Sequence, residues 1–248
     1  MKRAVIINGD DFGMNRRCSE AIAQAFAEGL ITDTTMMANG DYVPMAIKLA
    51  RESGFVSNIG IHFNLTEGKP LTQEICACPK FVLNGRFHKN YSWEQPLTAF
   101  EQQAVFQELS AQVERLLGEG VVLTHADSHH YIHTAKYLLP TVLRVCRKFG
   151  IEKIRLCRNL GDGVDEEYAA SVNSEIRRQG FITTSYFGSF RRIGNAEIPE
   201  SCEILVHPDY DREGVLIDRA GMRDGHPFGK PLNTLKAIPF GLTSYASI

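Results

Sequence analysis

Arg3-Ala4-Val5-Ile6-Ile7-Asn8, with Gly9-Asp10-Asp11 directly behind it and a helical pattern from Asn15 to Glu28 beyond, decides how this chain folds. The apolar run is short and is cut off by polar residues. It reads as a buried first strand, because a secretory core needs roughly 7–15 apolar residues. The pattern from Asn15 to Glu28 sets Ile22 and Phe26 on one face and stops at Gly29, as a helix does. The same alternation then repeats. A strand over Ile31–Ala38 is followed by a helix over Val43–Ser53, closed by Gly54, and a strand over Val56–Phe63. After an irregular stretch come a helix over Thr98–Leu117, a strand over Val121–Ala126, and a helix over Lys136–Phe149. A strand over Lys153–Cys157, a helix over Asp165–Gln179 and strands over Phe181–Phe187 and Cys202–His207 complete the pattern, with a short helix over Asn233–Ile238 and a last segment over Leu242–Ser247. Strands alternating with helices imply βαβ units and a parallel sheet. About seven units in 248 residues predict one domain over 1–248 with a TIM-barrel-like α/β fold, a distorted β/α barrel of about seven strands. A doubly wound sheet is the alternative, but no G-x-G-x-x-G follows the first strand.

Composition narrows the function. Charged residues are 23%, hydrophobic residues 44% and the formal net charge is -2, as in an ordinary soluble domain. No basic stripe marks a nucleic-acid partner. No run reaches the roughly 20 apolar residues of a membrane span, so a cytoplasmic location is expected. The six cysteines are scattered, and Cys76-x-Cys78 lacks the spacing and the second pair of a zinc ribbon, so inert thiols are expected. Residues 64–96 form the one long irregular stretch. Loops of that length usually act as lids or binding segments. This one holds Phe81, Phe87, Tyr91 and Trp93, whose faces suit sugar rings and equally suit packing or a dimer contact. A homodimer in which the loop completes the neighbour's pocket is the expected assembly.

Polar chemistry clusters at strand ends. Asp10 and Asp11 follow the first strand, and His62 ends the third. Thr124-His125-Ala126-Asp127-Ser128-His129-His130 ends the fourth, and His207-Pro208 ends the seventh. In a barrel those ends meet at one mouth, where active sites lie. Each residue alone has an ordinary reading: Asp11 suits a helix N-cap, and His88 and His226 read as structural. Together they make a ligand set. Histidine is the commonest metal ligand, and three protein ligands with one open position mark catalytic zinc. Asp11, His62 and one histidine of the 125–133 cluster fit that count.

These segments resemble a known family. Asn8-Gly9-Asp10-Asp11-Phe12-Gly13 looks like the N-A-D-D-F-G start of the YdjC-like carbohydrate deacetylases. Ile59-Gly60-Ile61-His62-Phe63-Asn64-Leu65-Thr66 is similar to their G-x-H-x-x-L-T segment, and Thr124 to His133 to their T-H-x-D-S-H-H-H-x-H. Val206-His207-Pro208-Asp209-Tyr210 resembles H-P-G-Y, Thr32 to Thr35 with Asn39-Gly40 matches the second-strand pattern, and Gly241 to Tyr245 is similar to the usual C-terminus. Gly9, Tyr131 and Asp209 depart from the pattern, and residues 211–230 fit it poorly. The resemblance implies a TIM-barrel-like fold, a divalent metal and hydrolysis of an N-acetyl group.

It also implies Asp11, His62 and His129 as the metal ligands, with His133 in reserve if the segment is helical, one turn on from His129. His125 lies within strand sequence and is expected to hydrogen-bond inside the barrel. The ion is Zn2+ or Mg2+, zinc being the better match to imidazole. Adjacent residues of a strand end face opposite ways, so Asp10 is expected to serve as general base beside the ligand Asp11. His207, from another strand, is expected to protonate the leaving nitrogen as general acid. The substrate expected is a small acetylated saccharide. The competing classes are a phosphoesterase, which would want a second metal and more ligands, a lactam or other amide hydrolase, and a sugar sensor without catalysis.

Overall fold

The structure is a computed structural model that describes residues 4–89, 95–193, 201–220, 229–237 and 241–248. Its elements in chain order begin with β1 (Ala4–Phe12), α1 (Arg16–Ala27), β2 (Asp33–Met36), α2 (Val43–Glu52) and β3 (Ile59–Phe63). The one-turn helix α3 (Gln73–Cys76), the hairpin β4 (Val82–Leu83) and β5 (Arg86–Phe87), α4 (Ala99–Gly118), β6 (Ala126–Ser128) and α5 (Leu139–Lys148) follow. Then come α6 (Glu166–Arg178), β7 (Tyr186–Ser189), α7 (Phe190–Ile193), β8 (Ser201–Val206), β9 (Pro208–Tyr210), β10 (Leu216–Asp218), β11 (Lys230–Pro231) and β12 (Gly241–Leu242).

Six strands hydrogen-bond in the order β6-β3-β2-β1-β8-β7, and β12 pairs beside the start of β1. Every pairing in this sheet is parallel. The ring is completed less regularly, by single parallel pairs between Ala126 and Ile154 and between Lys153 and Ile182, from which the chain runs on into β7. Seven strand segments therefore curl into the distorted β/α barrel that the alternation predicted. Residues of β2, β3 and β6 are buried at every position, as strands covered on both faces must be.

Local chemistry fixes the connections. Asn15 caps α1 by accepting from Cys18 N–H at 2.9 Å, which leaves Asp11 free of the capping role its position allowed. Thr98 and Glu101 form a reciprocal capping box at the start of α4. Further along α4, the buried Glu108 accepts from the backbone N–H groups of Leu71 and Thr72 at 3.0 and 2.9 Å and pins the 64–89 segment to the helix. Phe81 and Phe87 belong to the main core cluster, with Ile75 and Leu97. They are packing residues, not the open platform that their place in a long loop suggested, and a pocket shared between subunits loses them as contributors. Tyr91, Trp93 and His226 lie outside the described residues. All six cysteines are free, and no described helix is long and apolar enough to cross a membrane.

Several strands sit later in the chain than the apolar runs suggested. β1 continues through Asp10 and Asp11 to Phe12, β6 spans 126–128 rather than 121–126, and β7 spans 186–189 rather than 181–187. Residues 153–157 contribute single pairs, not a regular strand. The reason is that polar residues at the mouth satisfy one another, so the ladders extend into them.

The most consequential of those contacts lies inside the barrel. Arg155 is fully buried. Its Nη1 and Nη2 donate to both oxygens of Asp10 at 2.7 Å, its Nε donates to Glu203 Oε1 at 2.7 Å, and Nη1 lies 2.6 Å from Asp127 Oδ2. Tyr245, near the end of the described chain, donates its hydroxyl to Glu203 Oε2 at 2.6 Å and stacks on His125 with ring centroids 3.9 Å apart. Burial pushes the Glu203 carboxyl up to about 7 even against Arg155. Removing the guanidinium leaves three buried carboxylates uncompensated, at a cost of about 3–5 kcal/mol. Arg155→Met is therefore expected to lower the unfolding free energy by that amount, read as a lower urea midpoint, and Arg155→Lys to recover little of it, since an ammonium lacks the fork. An unchanged midpoint in Arg155→Met would show that the network contributes nothing to stability.

Candidate functional site

β1 carries the two adjacent aspartates. Gly9 pairs with Thr34 of β2, but the next pairing is Phe12 with Met36, so one extra residue is inserted in β1. At this bulge Asp11 takes φ 72°, a left-handed conformation that costs a non-glycine residue about 1–3 kcal/mol. Arg219 donates to Asp11 Oδ2 at 2.8 Å, and Met14 N–H donates to the Asp11 carbonyl at 3.1 Å. Simple alternation would turn one of two adjacent carboxylates away. The bulge instead brings both to one cleft, which His62, His129 and His207 also line.

Asp11, His62 and His129 can hold a metal ion. Their candidate ligand atoms lie within 4.8 Å of one another, and all three residues are buried. Asp11 Oδ1 is 2.7 Å from His129 Nδ1 and 3.3 Å from His62 Nε2. Even so, Asp11 Oδ1 has no hydrogen-bond partner. Three close donor atoms around a buried oxygen with no hydrogen-bond partner suit a cation. The groups behind them fit as well. His62 Nδ1 is held by Asp127 Oδ1 at 2.6 Å and Thr35 Oγ1 at 3.0 Å, and His129 Nε2 lies 3.2 Å from Glu67 Oε2. Such partners fix the ring and make its outer nitrogen a better ligand.

Charge points the same way. Asp10, Asp127 and Glu203 pair with the Arg155 guanidinium, and Asp11 with that of Arg219. Burial pushes the His62 imidazole down, but Asp127, Asp11 and Asp10 together push it up to about 10. His129 is raised, burial notwithstanding, by Asp11 and Glu67. Burial pushes Asp11 up, yet His129 and His62 hold it well below the usual carboxylate range. A cluster that retains protons this firmly lacks positive charge, and a divalent cation answers the same demand. A second group, Asp10 with His62 and Asp127, shares its histidine with the first. Both its carboxylates are engaged by Arg155, so it is an ion-pair network rather than a second metal centre.

The remaining histidines divide by environment. His207 follows β8 at the cleft wall with a side chain 25% exposed; its N–H donates to Asp218 Oδ1 at 3.0 Å, and its Nδ1 lies 3.8 Å from that oxygen. His125 is inside the barrel, with Nε2 3.1 Å from Asn8 Oδ1. His130 contacts Thr66 Oγ1 at 2.8 Å, and burial and His129 push it down to about 3. His133 is not a turn on from His129, because His130 and Tyr131 at φ 52° and 58° kink the segment. Its Nδ1 meets Ser128 Oγ, away from Asp11. His88 contacts the Pro79 carbonyl at 3.0 Å. Sequence reasoning missed Arg155, Glu203, Glu67 and Arg219. The first two left a signal: a single charge between apolar neighbours, Ile154-Arg155-Leu156 and Cys202-Glu203-Ile204.

Comparison with known proteins places the chain among relatives. The carbohydrate deacetylase of Vibrio campbellii is 36% identical over 147 residues, 59% of this chain and 57% of that protein, so that match spans little more than half its length. Carbohydrate deacetylase 1 of Listeria innocua is 30% identical over 210 residues, 83% of this chain and 81% of that protein. The chitooligosaccharide deacetylase of Salmonella typhimurium is 30% identical over 220 residues, 85% of this chain and 83% of that protein. Among solved structures, an Enterococcus faecalis protein described as a candidate for cellobiose-phosphate cleavage superposes over 100% of both chains with a TM-score of 0.72 at 21% identity, a likeness of fold. The profile of the YdjC-like proteins matches residues 4–229, nearly the whole chain. The chain belongs to the YdjC-like protein family.

Proposed function

We propose that this chain is a metal-dependent hydrolase that removes the N-acetyl group from a small acetylated amino sugar or chito-oligosaccharide. The observation that carries the reading is the unpartnered Asp11 Oδ1 between His62 and His129, in a cleft that also exposes Asp10 and His207. The names of the relatives support the sugar. A divalent ion on Asp11, His62 and His129 would polarise the acetyl carbonyl and lower the pKa of water towards about 7. Two imidazoles favour zinc over magnesium.

The chain's own residues supply the proton traffic. Burial pushes the Asp10 carboxyl up, but Arg155 more than offsets it and holds it at about 2. Asp10 therefore meets the attacking water as a carboxylate at any physiological pH, and the two-pronged Arg155 contact and Asn8 Nδ2, donating at 2.8 Å, fix its direction. It accepts the water proton as oxygen attacks the acetyl carbon. A carboxyl held this low does not keep that proton. His207 protonates the amide nitrogen as the C–N bond breaks, so acetate and a free amine leave. Asp218 Oδ1 stands 3.8 Å from His207 Nδ1 and accepts from the His207 backbone N–H, which holds the residue at the cleft wall.

Purified protein loaded with zinc is expected to release acetate from N,N′-diacetylchitobiose, and a chelator to abolish the release; acetate release that a chelator leaves intact overturns the metal requirement. His62→Ala and His129→Ala are each expected to lose divalent binding by calorimetry, and normal loading in His129→Ala removes it from the ligand set. Asp10→Asn is expected to bind metal normally while kcat falls by about 10²–10⁴; retained turnover excludes Asp10 as base. His207→Ala should lose far more activity on the amide than on an acetyl ester with a good leaving group, because only the amine needs a proton to depart. Equal losses on both count against acid catalysis.

A further inference from the structure

Tyr131 stands where the family pattern has a histidine, and its geometry is unusual. It and His130 are both held in the left-handed region, at φ 58° and 52°, which disfavours bulky side chains and points to function when it occurs beside a site. His130 explains only its own part, through its contact with Thr66. The Tyr131 side chain remains 39% exposed and lines the cleft. Among the described residues lining the cleft it is the only aromatic besides histidine.

The ring has a rigid base. Tyr131 packs edge-on to Phe187, with centroids 6.2 Å apart and planes at 64°. Phe187 is fully buried on β7, with its face 4.8 Å from the Arg155 guanidinium. Two residues on, and so on the same face of β7, Ser189 also lines the cleft. Ser189 is buried, yet its Oγ has no hydrogen-bond partner, a state that costs free energy unless a ligand relieves it. An open aromatic surface on a fixed support, beside an unsatisfied hydroxyl, suits a pyranose. The C–H groups on one face of the ring meet the negative face of the aromatic system, and its hydroxyls lie around the rim.

We propose that Tyr131 and Ser189 form the wall that reads the sugar: the Tyr131 ring stacks on a pyranose face, and Ser189 Oγ hydrogen-bonds a sugar hydroxyl. The inference rests on the deacetylase reading above and names where its substrate lies. It also adds an aromatic contact to those the sequence offered, of which Phe81 and Phe87 are buried in the core and Tyr91 and Trp93 lie outside the described residues.

The test uses the metal-loaded enzyme and N,N′-diacetylchitobiose, with kcat, KM, divalent affinity and melting temperature measured together. Tyr131→Asn removes the ring but keeps a residue that tolerates the left-handed turn. It is expected to raise KM about tenfold, the order of one lost stacking contact, with kcat, metal affinity and melting temperature near wild type. Tyr131→Phe should keep the wild-type KM, and Ser189→Ala should raise it severalfold. Unchanged KM in Tyr131→Asn overturns the wall. Lost metal affinity in that variant assigns Tyr131 to holding the His129 turn and overturns it equally. A wild-type enzyme that releases no acetate from the sugar overturns the deacetylase reading, and the wall with it; wild-type turnover with an unmoved KM removes the wall alone.

Discussion

A guanidinium sealed from water organises this molecule. Arg155 lies inside the barrel against Asp10, Asp127 and Glu203, whose oxygens take up its N–H groups. Bringing such charges out of water costs several kcal/mol each, so the arrangement holds only while every partner is in place. Each partner then transmits the constraint. Asp10 is aimed into the cleft. Asp127 grips His62 Nδ1 at 2.6 Å and so turns Nε2 towards Asp11. Glu203 is held from the other side by Tyr245, which ties the C-terminal segment to the same centre. The orientation of the candidate base and of one candidate ligand thus depends on a residue that reaches neither substrate nor metal.

The strained residues follow the same logic. Asp11, His130 and Tyr131 have positive φ and line the cleft, whereas the other such non-glycine residue, Asn84, sits in the turn between β4 and β5. Strain in a hairpin turn is routine for asparagine. Strain at the mouth is maintained by surrounding contacts: Arg219 on the Asp11 carboxylate, Thr66 on His130, Phe187 under Tyr131. The barrel supplies the rigidity that lets three residues remain in conformations they would leave on their own.

The fold was legible because alternating apolar runs and glycine-stopped helices have few solutions. The mouth residues were legible because barrel geometry gathers strand ends, so Asp10, Asp11, His62, His129 and His207 could be brought together without knowing a single contact. What escaped was anything set by a side chain's partner. Arg155 and Glu203 look like solvent-facing charges until the interior of the barrel is known to be polar, and Glu67 reaches His129 from a loop whose path no periodicity encodes. The choice between sugar contact and packing for Phe81 and Phe87 stayed open for a related reason. A long loop suggests a lid, but Glu108 on α4 anchors Leu71 and Thr72, and a short helix and hairpin between them and α4 carry those rings into the main core.

The same inventory of residues could have built a different centre. Three carboxylates and two imidazoles, in two groups that share His62, suggest two metal ions and the chemistry that two ions support. Arg155 removes that option. By engaging Asp10 and Asp127 it takes both carboxylates of the second cluster out of the ligand pool, and it holds Asp10 as an ionised acceptor at about 2. Asp11 is left as the one member of the adjacent pair whose Oδ1 is uncommitted. Division of labour between neighbouring aspartates is therefore not a property of the Asp-Asp sequence. It is imposed by an arginine about 145 positions away, which engages both oxygens of one carboxylate and leaves Oδ1 of the other uncommitted, the split that the proposed roles of base and ligand require.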